Sequence, residues 1–288
     1  MWRAVVPEPV LVTGATGNTG SAVVAGLRSR GARARPASRR PDPADPDAVA
    51  FDWSDPTTFT AALNGVHAVY VVAPAGDADP MPMVRPFLEL AAAHGVQRVV
   101  QVSSSAIERG CSGLGEIHDA VVELFAEPTV LRPSWFMQNF VGDHPLASSI
   151  RDEHEIVTAT GAGRLGFIDA DDIAATAVEA LLAPEPVGAE LILTGPESLS
   201  YTDAAAILSD VLGHHIRHVE VPPEERAAQF TAAGLSPTYA RVLAALDGRI
   251  SAGEQDFVTT TVQNVTGRPP TTLRDFLTRA LDEVHLRG

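Results

Sequence analysis

The sequence predicts an α/β fold: a doubly wound parallel sheet with helices on both faces. Three observations predict it. Short apolar runs recur between stretches of helical periodicity. Those runs lack the polar alternation of a half-exposed sheet, as strands buried on both faces do. The first run leads through a glycine-studded turn directly into a helix, in "VLVTGATGNTGSAVVAGLRSRG" at 10–31.

"PVLVTG" (9–14) reads as a buried strand and "GSAVVAGLRSRG" (20–31) as a helix closed by Gly31. "ARARPAS" (32–38) and "AVAFDW" (48–53) follow as strands, separated by the Pro/Asp-rich surface loop 39–47. "HAVYVVAP" (67–74) is a fourth strand, "PMVRPFLELAAAHG" (82–95) a helix and "VQRVVQVSSS" (96–105) a fifth strand. Then come helix 115–127, a sixth strand at 128–136 running into a turn, and helix 171–183 with Asp171 as its expected N-cap. Strand 189–195, helix 200–213, strand 215–222 and a mostly helical tail complete the pattern. The expected division is a dinucleotide-binding domain over 1–140 and a smaller α/β region over 141–288, interleaved with the main sheet.

Composition narrows the function. The 288 residues carry 21 basic and 36 acidic side chains, a net charge of -15, which argues against nucleic acid and anionic membranes as partners. The chain contains no lysine, which removes Schiff-base chemistry and any lysine acid. A single cysteine, Cys111, excludes an intrachain disulfide. No signal-peptide pattern opens the chain and no apolar stretch is long enough to span a bilayer, so the expected compartment is the cytoplasm.

"GATGNTG" places glycines at 14, 17 and 20 between a strand and a helix. Gly14 permits the tight exit, Gly17 lets the backbone approach a pyrophosphate, and Gly20 lets the helix pack close. The N–H groups that open the helix make an anion site, which predicts a Rossmann-type dinucleotide fold. The second strand ends in Ser38, Arg39 and Arg40, with no acid before Asp42. A hydroxyl and guanidinium suit a 2′-phosphate, so NADP(H) is the expected cofactor. Asp52 and Trp53 stand where such folds place the adenine, with core packing the alternative for Trp53. Ala73 and Pro74 end the fourth strand, beneath the expected ribose and nicotinamide.

"LVTGATGNTG", "VVQVSSSA", "VLRPSWFMQNF", "GFIDADDIA" and "TGPESLSYTDAAAILSDVLG" together resemble the NmrA-like branch of the atypical short-chain dehydrogenase/reductases, over nearly the whole chain. The tail "QNVTGRPPTTLRDF" is similar to the subgroup with the ergot alkaloid reductase-cyclases. The resemblance implies that Gly14, Thr16, Gly17, Asn18, Thr19 and Gly20 bind the pyrophosphate, and that Ser38 and Arg39 bind the 2′-phosphate. It implies that Ser103, Ser104 and Ser105 lie near the nicotinamide, and that Pro133 to Phe136 line the nicotinamide and substrate pocket. It implies an NADPH-dependent reductase of an imine, iminium, quinone or conjugated carbonyl, plausibly in secondary metabolism. A nucleotide sensor without catalysis and a non-redox cyclase or isomerase are the rivals.

A conventional member of that superfamily carries a Tyr-x-x-x-Lys pair on the helix after the fifth strand. Here the only tyrosines are Tyr70, Tyr201 and Tyr239, none on that helix. The helix instead offers His118, with a catalytic role or a plain helix-surface position as its two readings. Asp119 either orients it or faces water. The serine hydroxyls, Ser104 among them as a catalytic candidate, either contact substrate or satisfy the strand end. An acceptor that is already electrophilic needs no proton donor, which reconciles the missing acid with hydride transfer. Trp135 and Phe136 are candidate walls for an aromatic or polycyclic substrate, against core packing, and Phe140 reads as core. Asp169, Asp171 and Asp172 read as fixing the strand–helix junction. His214, His215 and His218 straddle a helix stop without a fourth ligand, so no metal is expected. The oligomeric expectation is a monomer or homodimer.

Overall fold

A computed structural model describes residues 8–285. The strands are β1 (Val10–Val12), β2 (Ala34–Ser38), β3 (Val49–Ala50), β4 (Ala68–Val71), β5 (Arg98–Val102), β6 (Glu127–Pro133), β7 (Glu155–Thr158), β8 (Arg164–Leu165), β9 (Glu190–Leu193), β10 (Leu199–Ser200) and β11 (Arg217–Glu220). The helices are α1 (Asn18–Ser29), α2 (Phe59–Leu63), α3 (Met81–Ala93), α4 (Leu114–Leu124), α5 (Pro145–Glu153), α6 (Ala170–Leu182), α7 (Tyr201–Leu212), α8 (Pro223–Ala232), α9 (Pro237–Ser251), α10 (Thr261–Thr266) and α11 (Leu273–His285).

Seven strands form the central sheet in the order β3-β2-β1-β4-β5-β6-β9. Pairing is parallel from β3 through β6. The edge strand β9 runs in step with β6, since Val130 N donates to Ala189 O and Ser134 N to Leu193 O. The order reverses between β1 and β4, the switch point at which open α/β sheets bind ligands.

Two compact units arise. One comprises the chain through Ala75, Asp79–Arg132 and Ile173–Leu191; the other comprises Gly76–Ala78, Pro133–Asp172 and the chain from Ile192. Against the expected division at 140 with an interleaved second region, the chain crosses near 132 and returns to the first unit over 173–191. The reason is that α6 leads back to β9, which must pair with β6.

Two strand readings are corrected. The third strand shrinks from 48–53 to Val49–Ala50, because Asp52 folds the chain into a turn: its Oδ1 accepts from Ser54 N at 2.9 Å and from Ser54 Oγ at 2.8 Å. The last strand shrinks from 215–222 to Arg217–Glu220, paired parallel with β7. Asp171 is not the cap of α6. Asp169 Oδ1 takes the Asp171 N–H at 3.1 Å, so the aspartate one position before the helix caps it.

In the first unit, Leu11, Val69 and Val99 from the sheet pack with Phe87, Leu88, Ile117 and Val121 from α3 and α4. Phe51 stacks on Phe59 with centroids 5.3 Å apart, and Phe87 meets Phe59 edge-on at 5.4 Å. In the second unit, Phe140, Phe167 and Tyr201 pack together with Leu165, Ile156 and Leu277. Phe140 is therefore core, as read from the sequence. The start of α7 carries a reciprocal cap between Ser200 and Asp203, and Gly213 closes that helix at φ 73°.

Gly20 fixes how α1 meets β1. A Cβ there would lie 2.1 Å from the Gly14 carbonyl oxygen and 2.7 Å from its carbon. We predict that Gly20→Ala destabilises the protein by about 1–3 kcal/mol or more, since backbone on both sides must shift. Urea unfolding of the full chain measures it.

Candidate functional site

The site is built from the C-terminal ends of the first unit's strands. Thr13, buried just past β1, spans to the end of β4: its hydroxyl donates to Tyr70 O at 3.1 Å and accepts from Val72 N at 2.8 Å. That clasp holds the two strands on either side of the switch point. Gly14 follows at φ +61°, and its missing side chain leaves room for Val72, whose Cβ would otherwise sit 3.1 Å away. Gly17 N then donates to Gly14 O at 2.9 Å, turning the chain into α1.

Thr16, Gly17 and Asn18 are exposed, whereas Thr19 and Gly20 are buried. Gly17 is the N-cap and makes no side-chain cap bond, and the first turn of α1 holds no acid. The opening N–H groups thus face an environment that favours an anion. A Cβ at Gly17 would intrude to 3.3 Å from Gly14 O, narrowing this cradle. The donor set fits the diphosphate of a dinucleotide.

At the end of β2, Ser38 is half-buried and Arg39 and Arg40 are exposed. Asp52 lies close by, because Phe51 N donates to Ser38 O and the strands pair Ser38 with Ala50. Bonds from Ser54 hold the Asp52 carboxyl below the ordinary carboxylate range, and the Arg39 charge adds to this. Trp53 meets Phe51 edge-on at 4.8 Å and Phe87 at 5.2 Å, so one side of its ring belongs to the core. Ala73 packs against the same core, and Pro74 beside it is half-buried.

Beyond β5 the three serines differ. Ser104 Oγ accepts from Ala106 N at 3.2 Å, so it caps the turn. Ser103 Oγ is buried without a hydrogen-bond partner. Ser103 thus has an unsatisfied buried hydroxyl, while the Ser104 oxygen is engaged as an acceptor and its hydroxyl proton remains to donate.

His118 is 1% exposed, which overturns the helix-surface reading. It sits one turn after Leu114, whose carbonyl accepts from Gln101 Nε2 of β5 at 3.2 Å. Its Nδ1 has no partner, and its Nε2 lies 4.0 Å from Glu190 Oε2. Asp119 does not orient it: that carboxylate pairs with Arg109 at 2.5 Å. Burial lowers the His118 pKa; Glu190 and Asp119 oppose this, while Arg109 and Arg132 reinforce it.

The sequence reading missed Arg132 and Glu190. Arg132 is 9% exposed, ion-paired to Glu190, and donates to the carbonyls of Ser104 at 3.2 Å and Ser105 at 2.9 Å. The signal was an arginine inside the apolar strand "TVLRP", a position that demands a partner.

In the second unit, Pro133 is buried, and Trp135 and Phe136 are half-buried. Trp135 packs partly against that unit's core, and its carbonyl accepts from Ile168 N at 2.9 Å. The aspartates hold the junction as expected. Asp169 bonds Gln138 Nε2 at 2.7 Å and Arg279 at 2.5 Å, and Asp172 accepts from Thr271 N at 2.7 Å. Among the described residues no His/Cys/Asp/Glu cluster suits a metal ion, and no helix is long and apolar enough to cross a membrane.

This cradle on a doubly wound sheet defines a nicotinamide-nucleotide protein. The chain belongs to the NAD(P)H-binding family, matched over residues 14–184, and within it to the NmrA-like group of atypical short-chain dehydrogenase/reductases. It is 46% identical over 271 residues to the oxidoreductase YesF of Bacillus subtilis (strain 168), covering 93% of this chain and 94% of that one. It is 37% identical over 236 residues to the agroclavine dehydrogenase of Claviceps fusiformis, covering 79% and 81%. The triphenylmethane reductase of Citrobacter sp., solved with NADP(H), shares the fold with a TM-score of 0.78 at 23% identity, over 94% of this chain and 99% of that one. The chain is an NAD(P)H-dependent oxidoreductase.

The depressed His118 pKa has a consequence for stability. The unfolded chain, with histidine near 6.5, takes the proton first as pH falls. The stability that neutral His118 supplies is complete above about pH 6.5 and is lost as pH drops through the folded pKa. We expect urea unfolding between about pH 7 and 5.5 to show a steeper loss in wild type than in His118→Gln.

Proposed function

We propose that the protein transfers hydride from NADPH to a small, already electrophilic acceptor: an imine, iminium, quinone or conjugated carbonyl. The observation that carries this is the state of the tyrosines. Tyr70 and Tyr201 are buried in the two cores, and burial pushes both phenols well above their ordinary pKa. Burial also raises Tyr239. None stands on α4, and the chain has no lysine to activate one. His118 is held towards its neutral form. Hydride addition turns an iminium into a neutral amine, and the anion left by an imine, quinone or conjugated carbonyl takes its proton from solvent, so neither needs an acid from the protein.

In this reading Gly14, Thr16, Gly17, Asn18, Thr19 and Gly20 hold the diphosphate on the cradle. Ser38, Arg39 and Arg40 receive the 2′-phosphate, and Asp52 with the open side of Trp53 flanks the adenine. Ala73 and Pro74 support the ribose from beneath. Bound NADPH supplies the hydride. The buried Ser103 hydroxyl and His118 imidazole hydrogen-bond the nicotinamide end or the acceptor, orienting rather than protonating. Ser104 shapes the turn that presents Ser103, Pro133 borders the nicotinamide, and Trp135 and Phe136 offer apolar surface to an aromatic or polycyclic acceptor. The similarity to an agroclavine dehydrogenase supports a small organic acceptor, and with it a role in secondary metabolism.

Two measurements test this. NADPH oxidation is followed against a panel of cyclic iminium ions, quinones, enones and simple ketones. Turnover is expected for the activated acceptors and not for simple ketones; ketone reduction at a comparable rate would sink the activated-acceptor reading. For the cofactor, Arg39→Ala is expected to raise the Kd for NADPH roughly tenfold while changing that for NADH by less than about twofold. Equal effects on both would remove the 2′-phosphate assignment.

A further inference from the structure

Three polar side chains in the first unit, Arg132, Glu190 and His118, stand next to one another, and the Arg132–Glu190 pair has no role in the function above. Arg132 on β6 and Glu190 on the neighbouring edge strand β9 are ion-paired. An arginine at a buried position of a parallel sheet costs desolvation, and a simple packing role would be served better by an apolar side chain. What Arg132 gains is specific. Its Nε and Nη2 reach two successive carbonyls, Ser104 O and Ser105 O, in the loop after β5. Its remaining Nη1 meets Glu190 Oε1. The second oxygen of that carboxylate, Oε2, faces His118 Nε2 at 4.0 Å.

We propose that Arg132 and Glu190 are positioning residues, Arg132 fixing the serine loop through its two carbonyls and Glu190 linking that loop to the imidazole of His118. The planar guanidinium suits this task, since its fork spans two acceptors and a carboxylate at fixed angles. Glu190 cannot be replaced by a distant surface charge. It alone contacts Arg132 with one oxygen while presenting the other to α4. The charges facing His118 are Glu190 from β9, Arg132 from β6, and Arg109 and Asp119, which pair with each other at 2.5 Å. Glu190 is the strongest of these charges on the imidazole, and Arg132 holds that carboxylate in place. The pair favours a fixed imidazole orientation, with Nε2 towards the carboxylate and Nδ1 left for a ligand.

The proposal rests on the reductase reading only for its consequence in catalysis, so the test has one arm that does not need turnover. The variant is Glu190→Gln, at a side chain 39% exposed, where the isosteric amide keeps the fold. In full-length protein labelled at histidine, the His118 imidazole nitrogen signals are assigned by their loss in His118→Gln. In Glu190→Gln they are expected to shift, and any resolved titration to move to lower pH, because the carboxylate that favours imidazolium is gone. Unmoved signals would overturn the proposal. In the second arm, single-turnover hydride transfer to the best acceptor is expected to slow about tenfold, with the Kd for NADPH changed less than about twofold. Combined with His118→Gln, the Glu190→Gln loss is expected to vanish; fully additive losses would overturn the coupling. If the wild type reduces no acceptor, the reductase reading fails while the imidazole signals still decide the pair. Arg132→Lys keeps the charge but loses the fork, so the amide signals of Ser105 and Ala106 are expected to shift in it.

Discussion

The site depends on how closely α1 approaches the loop that leaves β1. Gly20 occupies a point where any side chain would collide with the Gly14 carbonyl oxygen at 2.1 Å. That contact sets the angle of the helix, and the angle aims its first N–H groups. The Thr13 clasp onto Tyr70 and Val72 then fixes β1 against β4, so the cradle opens at the reversal of strand order. A net charge of -15 would repel a nucleotide at long range. Binding must come from backbone dipoles and a few arginines at short range, and Arg39 and Arg40 are exposed just where the second strand ends.

The absence of lysine shapes the chemistry as well as the composition. Every cationic group of fixed charge is a guanidinium, and many are spent on structure. Arg35 donates to Ala62 O and Asn64 O, Arg98 to Leu181 O and Ala183 O, and Arg151 to Gly142 O. A lysine could not span such acceptor pairs at fixed geometry. A site relieved of proton transfer needs only orientation and dryness. Ser103 and His118 are buried there, each with a side-chain atom that lacks a hydrogen-bond partner.

Much of the fold was legible because its signals are local. The glycine spacing, the unbroken apolar strands and the Gly213 helix stop each act within a few residues. The third strand was read too long because Asp52 looks like a strand end until its carboxylate bends the chain onto Ser54. Where the chain crosses between units is not read locally, because membership of the sheet is decided by β9, whose partner β6 lies some sixty residues earlier in sequence. At the site, the glycine loop and the arginines after β2 were visible, since each motif is contiguous. The burial of His118, the difference between Ser103 and Ser104, and the Arg132–Glu190 pair were not. Each arises where three separate strands and a helix meet, and no spacing rule encodes that meeting.

The return of 173–191 to the first unit bears on how the polypeptide matures. Arg98 is anchored on carbonyls at the end of α6, and Arg132 on Glu190. A ribosome that has released only the first 140 residues has supplied some partners of these guanidiniums, Glu127 for Arg98 and the Ser104 and Ser105 carbonyls for Arg132, but not Glu190 or the carbonyls that end α6. The edge strand and those last partners of the first unit are therefore synthesised only after the forty residues 133–172 that belong to the other unit.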